Sequence, residues 1–161
     1  MSAPDAPAAR LSDLLPATTD SPADTQALGA ALADRLPPGS VVALYGDLGT
    51  GKTHLVKGVA EGLGLSPHRV RSPTFTILHT YTDGARPLYH FDAYRVQTAD
   101  ELVELGFEDY LDGGPSGDGF TCIEWADRVE ALLPASALRL ALTHEGPQRR
   151  RIAVSPDAPD T

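Results

Sequence analysis

At 161 residues the chain is the length of one domain, and a domain of that size buries about 70 % of the surface its unfolded chain exposes, enough for a true core. The formal net charge of −9 argues against autonomous binding to a nucleic-acid backbone, which depends on Lys and Arg neutralising phosphates, so any role with RNA is expected to run through partners. Cys122 is the single cysteine, which excludes an intrachain disulfide; with no signal-peptide pattern and no apolar run near the roughly 20 residues of a bilayer span, a soluble cytoplasmic protein is expected, without membrane contact.

Residues 1–20, rich in Ala, Pro, Asp and Ser, are expected to form a mobile arm, residues 21–154 a single folded domain and residues 155–161 a short tail. Ser21-Pro22 reads as an N-cap and first helical residue, and Leu28, Leu32 and Leu36 share one helix face until Pro37-Pro38-Gly39 stops it. An apolar strand follows from about Ser40 to Tyr45, then a glycine-rich loop, then a helix from Lys52 that ends around Gly62 and Gly64. Thr74 to Tyr81 and Leu88 to Phe91 read as a hairpin turned at Asp83-Gly84. Ala99 to Phe107 reads as a short acidic helix and residues 112–119 as a loop. Phe120 to Ile123 is a short apolar strand ending in Glu124-Trp125, with a helix expected from Ala126 to Leu133. Leu138 to His144 and Arg150 to Val154 close the chain as a hairpin around Glu145-Gly146-Pro147. Helix crossovers mixed with two hairpins imply a three-layer α/β fold whose central sheet is parallel at a nucleotide site and antiparallel elsewhere.

The loop carries the chemistry. Gly46, Asp47, Leu48, Gly49, Thr50, Gly51, Lys52 and Thr53 match GxxxxGK[ST] in full, placed between a buried strand and a helix as a phosphate-binding loop requires. A triphosphate needs several backbone N–H groups converging on its oxygens, which a glycine-rich turn opening onto a helix N-terminus presents without obstruction. Lys52 can reach the β and γ phosphates and the Thr53 hydroxyl can meet Mg²⁺, so ATP and Mg²⁺ are the expected cofactors.

Such a loop also needs a carboxylate for the metal, supplied from the end of a neighbouring apolar strand. Glu124 and Asp92 both meet that description, with a strand-end cap or surface ion pair as the plain alternative for each. Thr74, in Ser72-Pro73-Thr74-Phe75, sits where nucleotide switches place a threonine toward Mg²⁺ and the γ-phosphate. Trp125, the only tryptophan, is either core or a contact for nucleotide or partner. The run Arg149-Arg150-Arg151 reads most simply as an edge strand protected by charge, with a partner-binding surface second.

Taken in order, the loop with Asp47-Leu48-Gly49 inside it, Ser72-Pro73-Thr74-Phe75, His90-Phe91-Asp92-Ala93-Tyr94-Arg95 and Glu124-Trp125 resemble the successive motifs of the TsaE family, formerly YjeE, from about Thr25 to Val154. The resemblance implies a P-loop ATPase of bacterial tRNA modification. Such an enzyme acts with the partner proteins TsaB and TsaD to make N6-threonylcarbamoyladenosine (t6A) at position 37 of tRNAs reading codons that begin with A. It further implies that Lys52 and Thr53 hold phosphate and Mg²⁺, that Thr74 is switch-like, that Asp92 and Glu124 serve metal and attacking water, and that Trp125 lies near the site. His54 follows the loop where the family often has another residue, and it joins the candidate nucleotide contacts. A small-molecule kinase shares the same loop and is the alternative; a module using ATP only as structural glue is a third reading. The absence of an NKxD motif argues against a GTPase.

Overall fold

The computed structural model describes residues 11–71 and 77–155. Seven strands form one sheet: β1 (Ala17–Thr19), β2 (Val41–Tyr45), β3 (Leu78–Tyr81), β4 (Leu88–Asp92), β5 (Phe120–Glu124), β6 (Leu138–His144) and β7 (Arg150–Val154). Their order is β1-β7-β6-β2-β5-β4-β3. The β6-β2-β5-β4 centre is parallel, and the β3–β4, β6–β7 and β1–β7 pairs are antiparallel. The expected mixed α/β sheet is therefore what forms.

Parallel central strands are covered on both faces, which is why β2 reads Val-Val-Ala-Leu without alternation yet still divides its side chains between two cores. Val42 and Leu44 join the face covered by α1 (Pro22–Arg35) and α2 (Lys52–Gly62), with Leu32, Leu55, Val56 and Val59 packed on them. Val41 and Ala43 join the opposite face, under α3 (Ala99–Glu104) and two 3-10 segments, Phe107–Tyr110 and Ala126–Leu132. There the Phe107 ring meets Phe91 edge to face at 4.9 Å. Each such buried side chain is worth about 1.5–3 kcal/mol in transfer free energy.

Helix α1 begins as its sequence indicates, with the Ser21 hydroxyl accepting from the Asp24 N–H at 3.1 Å and Pro22 in the first turn. Other boundaries differ. Helix α3 stops at Glu104, because Gly106 takes φ +81° and redirects the chain into the 3-10 segment that seats Phe107. Residues 126–132 are 3-10 rather than α-helical, kinked where Val129 adopts φ −130°. Strand β3 is described from Leu78; the expected start at Thr74 lies outside the described residues.

Two expectations at the N-terminal side are corrected. Residues 17–19, assigned by composition to the arm before residue 21, form β1 and pair with β7 through Ala17↔Ile152, Thr18↔Arg151 and Thr19↔Arg150. Strand β7 is therefore interior, and the Arg149-Arg150-Arg151 run does not guard a sheet edge. Arg149 instead pairs with Asp20 at 2.9 Å, an exposed contact of small energetic weight. Among the described residues, no helix is long and apolar enough to cross a membrane.

Candidate active site

Strand β2 delivers the chain into the glycine-rich loop at the carboxyl edge of the parallel strands. Gly51 occupies the N-cap of α2 with φ +100°, a conformation L side chains rarely adopt, so a glycine is needed there for the helix to start at Lys52. A Cβ at Gly46 would lie 2.6 Å from the Leu142 carbonyl oxygen, so the loop also requires glycine where it passes β6. Thr50 is buried and its hydroxyl donates to the Asp47 carbonyl at 2.8 Å, bracing the turn from within. Asp47, Leu48 and Gly49 form the exposed tip, Leu48 being 80 % accessible.

Lys52 is 5 % exposed and folds back over the loop, its Nζ donating to the carbonyls of Gly46 at 2.6 Å and Asp47 at 2.9 Å. The same ammonium lies 4.1 Å from the centre of the Trp125 ring. Burial pulls the Lys52 pKa below the ordinary lysine value, against the opposing pull of Glu124, Asp92, Asp47 and Asp127. His54, half-buried in the first turn of α2, is pushed below the usual histidine range by burial and by Lys57. It therefore adds hydrogen-bonding capacity to the cleft wall rather than charge.

Glu124 ends β5 and is 3 % exposed. The Thr53 hydroxyl lies 3.0 Å from Oε1 and 2.9 Å from Oε2 of this carboxylate, and His90 Nε2 lies 2.7 Å from Oε2. Asp92 ends β4 directly opposite Glu124 in the parallel ladder, and its Oδ1 accepts from the Tyr94 N–H at 2.9 Å. Trp125, immediately after β5, takes a left-handed conformation at φ +58°, the single positive φ outside glycine among the described residues. That turn lays its ring beside Tyr94, with centroids 4.9 Å apart, and over Lys52. Trp125 is thus half-buried, packed against the core on one side and lining the cleft on the other.

A cleft of about 320 Å³ runs along the loop, large enough for a small ligand. Gly49, Gly51, Lys52, Thr53, Glu124 and Trp125 line it, together with Pro22, Thr25 and Arg150. Leu48 and His54 also face it, whereas Gly46, Asp47, Thr50 and Asp92 are not among its lining residues. Thr74 lies outside the described residues. The metal requirement can be tested against the donor set: Thr53 Oγ1 and the carboxylates of Glu124 and Asp92 are hard oxygen ligands. Among the described residues, no group of three or more His, Cys, Asp and Glu forms a cage. That combination fits Mg²⁺, which takes one or two protein oxygens and completes its shell with phosphates and water.

Two residues of the site escaped the sequence reading. His90 carried a legible signal, a polar residue inside an otherwise apolar strand and two positions before Asp92, hence on the same face of β4. Arg150 did not, because its guanidinium reaches Gly49 O at 3.2 Å only through the pairing of β7 against β6, which no local pattern encodes.

Comparison with known proteins identifies the family. The family profile "Threonylcarbamoyl adenosine biosynthesis protein TsaE" matches residues 19–152, a span that contains every described element of the site. The chain belongs to the TsaE family. Among its relatives, a Bacillus subtilis "tRNA threonylcarbamoyladenosine biosynthesis protein TsaE" is 42 % identical over 134 residues, 83 % of this chain and 80 % of that protein. A Synechocystis protein of the same name is 45 % identical over 108 residues, 67 % of this chain and 68 % of the relative. In three dimensions, this TsaE-family chain resembles the crystal structure of Bacillus subtilis YdiB with a TM-score of 0.67 at 35 % identity, over 89 % of this chain and 88 % of that one.

Proposed function

We propose that this TsaE-family chain is a Mg²⁺-dependent ATPase of t6A biosynthesis, acting on tRNA position 37 only through a complex with TsaB and TsaD. The observation that carries the reading is the Thr53–Glu124 contact at the mouth of an intact phosphate-binding loop: a helix-start hydroxyl and a strand-end carboxylate already share hydrogen bonds at 2.9 and 3.0 Å. The names of the relatives support the pathway.

The backbone N–H groups of the loop and the start of α2 bind the phosphates, and Lys52 exchanges its carbonyl partners for phosphate oxygens. Thr53, with Glu124 and Asp92, would hold Mg²⁺, which when bound would neutralise charge at the phosphates. Glu124 orients the attacking water by accepting its hydrogen. Trp125 forms a wall of the cleft beside Lys52 and Glu124.

The test is phosphate release from ATP and from GTP by the chain alone and with TsaB, TsaD and tRNA. ATP-selective release that depends on Mg²⁺ and on Lys52 is the expected result. Transfer of the phosphoryl group to a small acceptor instead of water would favour a kinase, and tight ATP binding without turnover in any mixture would favour a structural nucleotide.

A further inference from the structure

His90 is wholly excluded from solvent, and its Nε2 sits 2.7 Å from Oε2 of Glu124. Its Nδ1 is the one buried side-chain nitrogen or oxygen without a hydrogen-bond partner among the described residues. Together these facts assign the tautomer. A buried N–H with no acceptor forfeits its full hydration, whereas an unused ring lone pair loses less, so the ring hydrogen belongs on Nε2, where the carboxylate accepts it.

The sheet explains why the two groups meet. In the parallel ladder His90 pairs with Cys122 and Asp92 with Glu124, so all four side chains leave the same face, the one covered by α2. His90 therefore lies one pleat repeat behind Glu124 while Thr53 approaches from α2. The last torsion of a glutamate is broad and roughly two-fold, so a strand alone does not fix the plane of its carboxylate.

We propose that His90 is a positioning residue for Glu124: its Nε2–H ties Oε2 from inside the sheet and sets the carboxylate plane, so that the remaining lone pairs are presented to Thr53 and the cleft. Outer partners of this kind cost about 10–100-fold in metal affinity or activity when removed. The kinetic consequence rests on the ATPase reading above; the hydrogen bond itself does not.

The first measurement is ¹⁵N NMR of the histidine rings in the free chain, which is expected to show His90 protonated at Nε2 and bare at Nδ1, with the Nε2–H signal displaced in Glu124→Ala. The second compares His90→Leu with His90→Gln, whose amide N–H reaches about as far as Nε2, at matched folding verified by thermal melts. His90→Leu should lower kcat about 10–100-fold while ATP affinity without Mg²⁺ stays within about twofold, and His90→Gln should recover most of the loss. A His90 ring protonated at Nδ1, a kcat in His90→Leu within about twofold of wild type, or equal loss of kcat and affinity in both variants would overturn the inference. Failure of the ATPase reading appears in the wild type as absent phosphate release; failure of this inference appears in the variants against an active wild type.

Discussion

Lys52 sits where burial and function pull in opposite directions. Its folded-state pKa is lowered, chiefly by burial, so at neutral pH the charged side chain opposes folding. The sign follows from proton counting: between the lowered pKa and the ordinary lysine value the unfolded chain binds more protons, so this penalty is full below that window and fades as pH rises through it. Lys52→Met, which keeps the stem and removes the charge, is expected to raise Tm at pH 7, by a margin that shrinks toward pH 10.5, while abolishing ATP binding. Thermal melts at both pH values and nucleotide titration check the two halves separately. A variant that binds ATP like wild type would remove Lys52 from the site. Glu124→Gln and Asp92→Asn should behave differently, slowing turnover more than they weaken ATP binding, because their proposed work is on Mg²⁺ and water in the transition state. The larger effect is expected at Glu124, which lines the cleft and touches Thr53, whereas Asp92 is not among the lining residues. Single-turnover rates set beside binding isotherms separate the two contributions.

Between elements, the tightest fit is the crossing of α1 and α2. A Cβ on Gly29 would fall 2.2 Å from the Leu55 carbonyl oxygen, and one on Gly58 would fall 1.9 Å from the Gln26 carbonyl oxygen. Both obstacles are backbone, so the helices themselves must separate. Gly58→Ala is accordingly expected to destabilise by about 1–3 kcal/mol, or roughly 3–10 °C in Tm, despite the better helix propensity of alanine. An unchanged or raised melting temperature would mean that the helices cross with more room than these distances allow. The same pair shows what a sequence conveys and what it withholds. The leucine spacing in α1, the proline stop and the apolar run of β2 are local patterns, and each became the element it announces. The glycines that set how closely two helices approach have no periodic signature. Nor does β1, whose three residues gain meaning only by hydrogen-bonding to β7 more than a hundred positions away. The site divides likewise: the loop and both carboxylates were legible as strand-end and glycine-rich motifs and His90 as a polar residue in an apolar strand, while Arg150, and the meeting of His90 with Glu124, come only through strand pairing and register.

At the level of the whole molecule, the charge distribution separates binding from catalysis. A net charge of −9 argues against autonomous binding to tRNA phosphates, and the function proposed above accordingly routes access to RNA through partners. The γ-phosphoryl group spreads negative charge in its transition state, and an arginine brought to it is worth about 10³–10⁵ in rate. Arg150 is the arginine lining the cleft among the described residues, yet its guanidinium already donates to the carbonyls of Gly49, Gly146, Pro147 and Arg149. Arg71, beside residues 72–76, and Arg95, after β4, are exposed and stand outside the cleft lining. Lys52 is left as the main cation at the chemical end of the cleft. The isolated protein should therefore hydrolyse ATP slowly, and the TsaB–TsaD complex should accelerate it by ordering one of these arginines or supplying a cation of its own. Steady-state phosphate release at saturating ATP, measured as the complex is titrated in, is expected to rise to a plateau at a fixed stoichiometry. Arg71→Ala, Arg95→Ala and Arg150→Ala then divide the explanations: loss of stimulation in one variant, with its unstimulated rate preserved, identifies an internal arginine, and retention in all three points to a cation from the partner or to an effect through Thr74. A flat titration, or an isolated chain that is already fast, would reject gating by partners and make this a stand-alone enzyme.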